Sequence, residues 1–240
     1  MRPFANALFA VALGAAAPAM AQEDRQAARF DIEVRGVAIG RLDFSSVETG
    51  SSYAVSGTMQ STGLAGMLRS VRYEANVRGV VTPRGLAPQR YEQSGGARGR
   101  SSEEVVVWVA GLPRIERQDP PKVARATDPD PVQQRGTVDT LTALYATLRD
   151  VAPGQECKSS VIMYDGRYRM QLLIAAPKPG ADGKVSCSGE YIRLAGFSPE
   201  DMAKRTRFPF TLHYVPEGER MRVTEVAMES TLGTARMIRR

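Results

Sequence analysis

Few residues in this chain have the type and spacing that chemistry requires. The one histidine, His213, lies between Leu212 and Tyr214 in an alternating run, the setting of an ordinary strand histidine. A single imidazole excludes most nucleophile triads and most zinc sites. No Gly-x-Ser-x-Gly elbow, His-Glu-x-x-His pair, dinucleotide glycine motif or phosphate loop accompanies it. Gly183-Lys184 lacks the earlier glycine of a phosphate loop, and Gly95-Gly96-Ala97-Arg98-Gly99 reads as a glycine cluster in a turn. Glu103 and Glu104 are adjacent, so on a strand they point to opposite faces and cannot act as an acid–base pair. Asp165, with arginines such as Arg167 beside it, is the carboxylate a hydrolase or transferase would use. Asp165-Gly166 between two apolar runs is also a two-residue hairpin signal, and that turn role outweighs the chemical one. The expectation is a protein with no catalytic residue, cofactor or metal.

Cys157 and Cys187 have no Cys-x-x-Cys partner and no histidine near them, which argues against metal or redox work and for a structural disulfide. Closing a loop of this length stabilises a fold by about 3.6 kcal/mol on the chain-entropy model. A disulfide needs an oxidising compartment, and the first 21 residues supply the route: Arg2, an apolar run over residues 4–17, and Ala19-Met20-Ala21 as a small-x-small cleavage site. The run is shorter than the roughly 20 apolar residues that span a bilayer, and no cysteine near the cleavage site could carry a lipid. A periplasmic protein, soluble after cleavage and without a membrane span, is expected.

Only Arg2 of the 32 Lys and Arg residues lies in that leader, so 31 positive and 26 negative side chains leave a net charge of +5. The arginines are scattered and not interleaved with aromatics, which argues against nucleic acid; weak contact with anionic envelope lipids or lipopolysaccharide stays open.

Period-two alternation dominates residues 22–240, which fit one β-rich domain. Its clearest stretch is Val71-Arg72-Tyr73-Glu74-Ala75-Asn76-Val77-Arg78. Strands are expected at 29–35, 37–45, 53–60, 86–92, 159–164, 167–174, 208–215 and 221–229, joined by compact turns in an antiparallel meander. The run Val105-Val106-Val107-Trp108-Val109 is apolar on both faces and reads as a strand covered from both sides. Residues 118–136, with four prolines, read as an extended loop. A helix over about 139–150 follows, with Asp139 as N-cap and Leu141, Leu144, Tyr145 and Leu148 forming one apolar stripe. A short helix over 199–204 starts after Ser198.

Ten to twelve such strands and one amphipathic helix are best closed as a mostly β, curved antiparallel sheet: a barrel, half-barrel or β-spiral with the helix on its concave side. A two-sheet sandwich is the alternative. Charged outward faces and the Arg239-Arg240 end argue against an outer-membrane barrel.

With these elements placed, the chain resembles the exported bacterial proteins of domain-of-unknown-function family 3108. The residues that carry the resemblance are Phe30-Asp31-Ile32-Glu33-Val34 with Gly36 and Gly40-Arg41-Leu42; the helix Val138-Asp139-Thr140-Leu141-Thr142-Ala143-Leu144-Tyr145; Tyr164-Asp165-Gly166-Arg167-Tyr168-Arg169; and Cys187 with Gly189-Glu190-Tyr191. The resemblance implies an envelope β fold of barrel or spiral type, similar in plan to exported envelope-integrity proteins, and transfers no catalytic residue. The function to expect is non-enzymatic envelope maintenance, with an apolar or lipid-like ligand or a partner segment held in the concave face. If the helix fills that face, the alternative is a structural or protein-interaction module working on an envelope protein partner through its outer face and sheet edges. A hydrolase built around Asp165 is the third.

Overall fold

The computed structural model describes residues 23–63, 66, 70–97, 100–230 and 233–240. The expected leader with Ala19 and Ala21 lies outside them, as do Arg98 and Gly99. The strands are β1 (Glu23–Val34), β2 (Val37–Thr49), β3 (Ser52–Ser61), β4 (Val71–Thr82), β5 (Gly85–Ala97), β6 (Arg100–Val109), β7 (Leu112–Asp119), β8 (Ser159–Tyr164), β9 (Arg169–Pro179), β10 (Val185–Ala195), β11 (Arg207–Glu217), β12 (Arg220–Ser230) and β13 (Gly233–Arg239). Two helices, α1 (Thr140–Leu148) and α2 (Pro199–Lys204), and two 3-10 turns, Pro131–Gln133 and Ala181–Gly183, lie between strands of the described residues.

All thirteen strands form one sheet in the order β7-β6-β5-β4-β3-β2-β1-β13-β12-β11-β10-β9-β8, every pair antiparallel. The fold is thus two meanders, β1–β7 and β8–β13, joined where the first strand pairs with the last, Phe30 opposite Arg239 and Val34 opposite Ala235. The sheet is curved and does not close, which removes the sandwich alternative. An odd number of alternating strands leaves the two edges, β7 and β8, running the same way, so closure would need a parallel pair.

Alternation decides which face is wet. In β4, Arg72, Glu74, Asn76 and Arg78 are exposed, whereas Val71, Tyr73 and Ala75 are half-buried and Val77 is buried. The inward residues of both meanders meet in one core: Phe30, Phe44, Tyr53, Val55 and Val77 from one arm, Ile174, Phe210, Leu212, Tyr214 and Val223 from the other. Each such side chain contributes about 1.5–3 kcal/mol through burial.

Helix α1 completes this core. It packs against β8 on one side and β3, β4 and β5 on the other, with Leu141, Tyr145 and Leu148 buried among the strand residues. The single stripe expected for it needs correction. Thr142, Ala143 and Thr147 are also buried, and Leu144 is only half-buried. A helix lying inside a curved sheet has walls on two sides, so small residues and bonded hydroxyls line the second face. Thr147 donates to the carbonyl of Ala143, and the Thr142 and Tyr53 hydroxyls stand 2.9 Å apart. Gly57 permits the approach, since a Cβ there would fall 2.8 Å from Leu141 Cδ1.

Three further expectations change, and one strand is added. The Asp165-Gly166 turn is four residues long: Tyr164 pairs with Arg169, and the Asp165 carboxylate accepts the backbone N–H groups of Arg167 and Tyr168. Only Gly166 of the two has positive φ, at 82°. Strand β6 is not covered on both faces, because Val106 is buried while Val109 is 53% exposed near an edge where no second layer reaches. Gly95 and Gly96 lie in β5, paired with Tyr73 and Arg72, and not in a turn. Strand β7 falls outside the alternation pattern because Arg114, Glu116 and Arg117 leave it few apolar positions.

Candidate functional site

Three places bring polar or apolar groups together. The first is the anchorage of α1. Asp139 caps the helix, accepting from Thr142 N at 2.8 Å and Thr142 Oγ1 at 2.6 Å. Burial pushes its carboxyl up to about 6; the Thr142 hydrogen bonds offset only part of that rise. At the other end, Glu48 accepts from the Tyr145 hydroxyl at 2.8 Å and from Arg149 at 2.6 Å. Burial lifts the Tyr145 phenol to about 12. Next in the chain, Asp150 accepts from Arg239 of β13, both nearly enclosed, with Arg222 of β12 at 3.5 Å. Every one of these groups is engaged by another protein group. The set fixes α1 against both arms, and two of its members, Arg149 and Asp150, also line the cleft beside it.

The second is a cleft of about 390 Å³ beside the half-buried flank of α1 at Ala146. Its wall is largely polar, with Arg84, Arg149, Lys158 and Arg220 among the cations that line it and Asp24 and Asp150 among the acids. Arg220 pairs with Asp24 and Arg149 with Glu48, so much of this charge is internally balanced.

The third is the seam between the two sheet edges, a groove of about 360 Å³. Val106, Leu112, Pro113 and Ile115 of β6 and β7 form one wall, and Pro131 and Val132 of the first 3-10 turn form another. Tyr164 and Gly166 of the β8–β9 turn stand opposite. Val132 is 68% exposed and Ile115 44%, an apolar surface that folding leaves open. Arg114 lines the groove, is exposed, and has no partner among the described residues.

The sequence explains why strands do not seal the seam. Pro113 offers no N–H, Glu116 is the extra residue of a bulge between Ile115 and Arg117, and charged side chains flank it; these features blunt an edge. On β8 the chain covers its own edge: Val138 donates to Ile162 O and accepts from Tyr164 N, both at 2.9 Å. The proline-rich loop laces the gap. Lys122 reaches Glu104 at 2.7 Å and the Asp165 carbonyl at 3.2 Å, while Arg125 donates to Gly196 O and Arg167 to Val123 O. Sequence reasoning passed over this role of the loop. Its signal was Lys122 and Arg125 within a proline-rich stretch facing a turn rich in carbonyls.

The residues singled out from sequence therefore separate. Asp139, Leu141 and Tyr145 are interior anchors of α1. Asp165, Gly166 and Arg167 form the turn that packs across the seam, with Gly166 in the groove wall. Cys157 and Cys187 form a disulfide, Cα–Cα 5.2 Å, tying the segment before β8 to β10. His213 is exposed on β11. Among the described residues no group of three His, Cys, Asp or Glu side chains is placed to hold a metal ion, and no helix is long and apolar enough to cross a membrane.

The architecture is that of an open antiparallel half-barrel, filled by its own helix and stapled by one disulfide. The chain belongs to the family described as protein of unknown function (DUF3108), which it matches over residues 29–179. That span holds the helix and the Asp165 turn; Cys187 and Gly189-Glu190-Tyr191 lie beyond it. No curated protein matches. Among solved structures, the chain is similar to a β-barrel-like protein of domain of unknown function DUF1849 from Brucella abortus, at 8% identity and a TM-score of 0.48, covering 92% of this chain and 96% of that one.

Proposed function

We propose that this protein is a non-enzymatic binding module of the bacterial periplasm, serving cell-envelope maintenance through the seam between β7 and the β8–β9 turn. One observation carries the reading: α1 occupies the concave face, where Tyr145 and Leu148 are each 1% exposed. The interior is therefore closed to an apolar cargo, whereas a groove with apolar walls stays accessible at the seam, where Ile115 and Val132 are uncovered. The disulfide supports residence in an oxidising compartment. A role without catalysis is supported by the site chemistry: Asp165 is occupied by the backbone of its own turn, and Asp139 is enclosed.

The test is complementation. A strain lacking the gene, challenged with detergent and chelator, should be restored by the wild-type protein recovered in the periplasmic fraction. Val132→Asp should not restore it, while keeping the wild-type melting temperature, since Val132 is mostly in solvent. Full rescue by Val132→Asp, or recovery of the protein in the cytoplasm, would overturn the proposal.

A further inference from the structure

The outer face of the sheet carries a second surface, distinct from the seam. Strand β6 is apolar on both of its faces over Val105 to Val109, and no element of the described residues covers the outer one. We propose that this outer face, centred on Val105, Val107 and Val109, docks on an anionic phospholipid surface. The inference goes beyond the seam reading and does not depend on it.

The strand register fixes which side chains share the face. Val55, Val77, Tyr91, Val106 and Ile115 form one cross-strand row, and the first four are buried, so that row faces the core. The next row, Ala54, Arg78, Arg90, Val107 and Arg114, therefore faces outward. Arg114 borders the seam groove, but its side chain leaves β7 on this opposite face. Arg90 agrees with the assignment, reaching across β6 to Glu116 of β7 at 3.0 Å. On β4 the outward positions are Arg72, Glu74, Asn76 and Arg78, as contact with water requires. On β6 they become Val105, Val107 and Val109, with Leu112 opposite the last. Val105 and Val107 are half-buried, and Val109 is 53% exposed beside the exposed turn at Ala110 and Gly111.

Charge selects the occupant. The acids flanking the valines are engaged, Glu92 and Glu116 by Arg90 and Glu103 by Arg117. Arg78 and Arg114 are exposed, and their side chains have no partner among the described residues. Free guanidiniums beside an apolar strip match a surface that offers phosphates and acyl chains together. A protein partner fits less well. A stable interface buries about 800 Å² on each side, whereas a strip this narrow on the convex side of a curved sheet meets a rigid body only along a line. A fluid lipid surface conforms to it.

The purified protein is mixed with phosphatidylethanolamine–phosphatidylglycerol vesicles and, separately, with phosphatidylcholine vesicles, and bound protein is measured by flotation. The anionic vesicles should bind it at least about tenfold more strongly, and roughly 0.5 M salt should remove that preference by screening. Reversing both free cations, Arg78→Glu with Arg114→Glu, should cost at least about 25-fold on anionic vesicles, since each lost cation is worth about fivefold. Lys178→Glu with Lys184→Glu makes the same charge change at exposed, unpaired lysines around the second 3-10 turn, and should cost less than about threefold. Val109→Asp should weaken binding by roughly tenfold. All five positions are exposed, so unchanged melting temperatures will certify the variants. Absence of binding to anionic vesicles, binding indifferent to lipid charge, equal losses from the two double reversals, or full binding by Val109→Asp would overturn the inference. So would a protein that binds no vesicle and whose self-association Val109→Asp abolishes, which would assign the strip to a second copy of the chain.

Discussion

Replacing Asp139 by asparagine isolates the cost of keeping a carboxylate inside this fold. Asp139 is 2% exposed, and its pKa is pushed from the ordinary 3.8 up to about 6 by burial. A raised carboxyl pKa means the folded state takes up a proton that the unfolded state has already released. Stability contributed by this group therefore falls as pH rises between about 4 and 6, and its charge works against folding at pH 7. Two pKa units at 1.36 kcal/mol each set that cost at up to about 3 kcal/mol, roughly half of which returns on lowering the pH from 7 to 5. Asparagine keeps an oxygen for the Thr142 N–H and turns an amide donor toward Thr142 Oγ1, so the cap survives without the charge. Asp139→Asn should therefore be more stable than wild type at pH 7, by about 1–3 kcal/mol. The difference should shrink to near zero by pH 4. Asp139→Ala, which loses both cap bonds, should fall below Asp139→Asn by about 1 kcal/mol. Urea unfolding of the three proteins at pH 7, 5.5 and 4, followed by far-ultraviolet circular dichroism with the disulfide intact, measures this. If Asp139→Asn is less stable than wild type at pH 7, or if the gap does not narrow with falling pH, the carboxylate is stabilised by its surroundings and the argument fails.

Three other outcomes are expected. Leu148→Ala, at the inner end of α1, should cost about 2–5 kcal/mol in the same unfolding assay, because the helix is clamped between two arms and cannot collapse into the space left. Denatured, unreduced protein should titrate no free thiol, and replacing Cys157 and Cys187 together by serine should lower stability by about 3–4 kcal/mol. Asp165→Ala should cost about 1 kcal/mol by releasing the Arg167 and Tyr168 N–H groups of the turn. A loss of complementation by Asp165→Ala with unchanged stability would instead point to chemistry at that carboxylate.

Much of the fold is legible from local pattern. Alternation over residues 71–78 specifies both a strand and its wet face, because side chains on a pleated backbone point to opposite sides in turn. Asp139 and Ser198 mark helix starts through hydrogen bonds made within three residues of themselves. The cysteine pair needed only the absence of competing partners. All of these depend on near neighbours in the chain or on composition.

What the tertiary structure decided depends on residues far apart in sequence. That α1 is buried on nearly its whole circumference follows from Gly57 making room for Leu141 and from Tyr53 meeting Thr142, pairs that no periodicity brings together. Whether the curved sheet would be hollow turned on that burial. The seam likewise exists only because thirteen strands, one blunted edge and one self-covered edge leave a gap, and Val132 stays uncovered because of that gap, not because of its neighbours in the chain. Local sequence encodes short-range hydrogen bonds and the side on which a residue faces; which surfaces then meet, and which stay open, is set by the closure of the whole sheet.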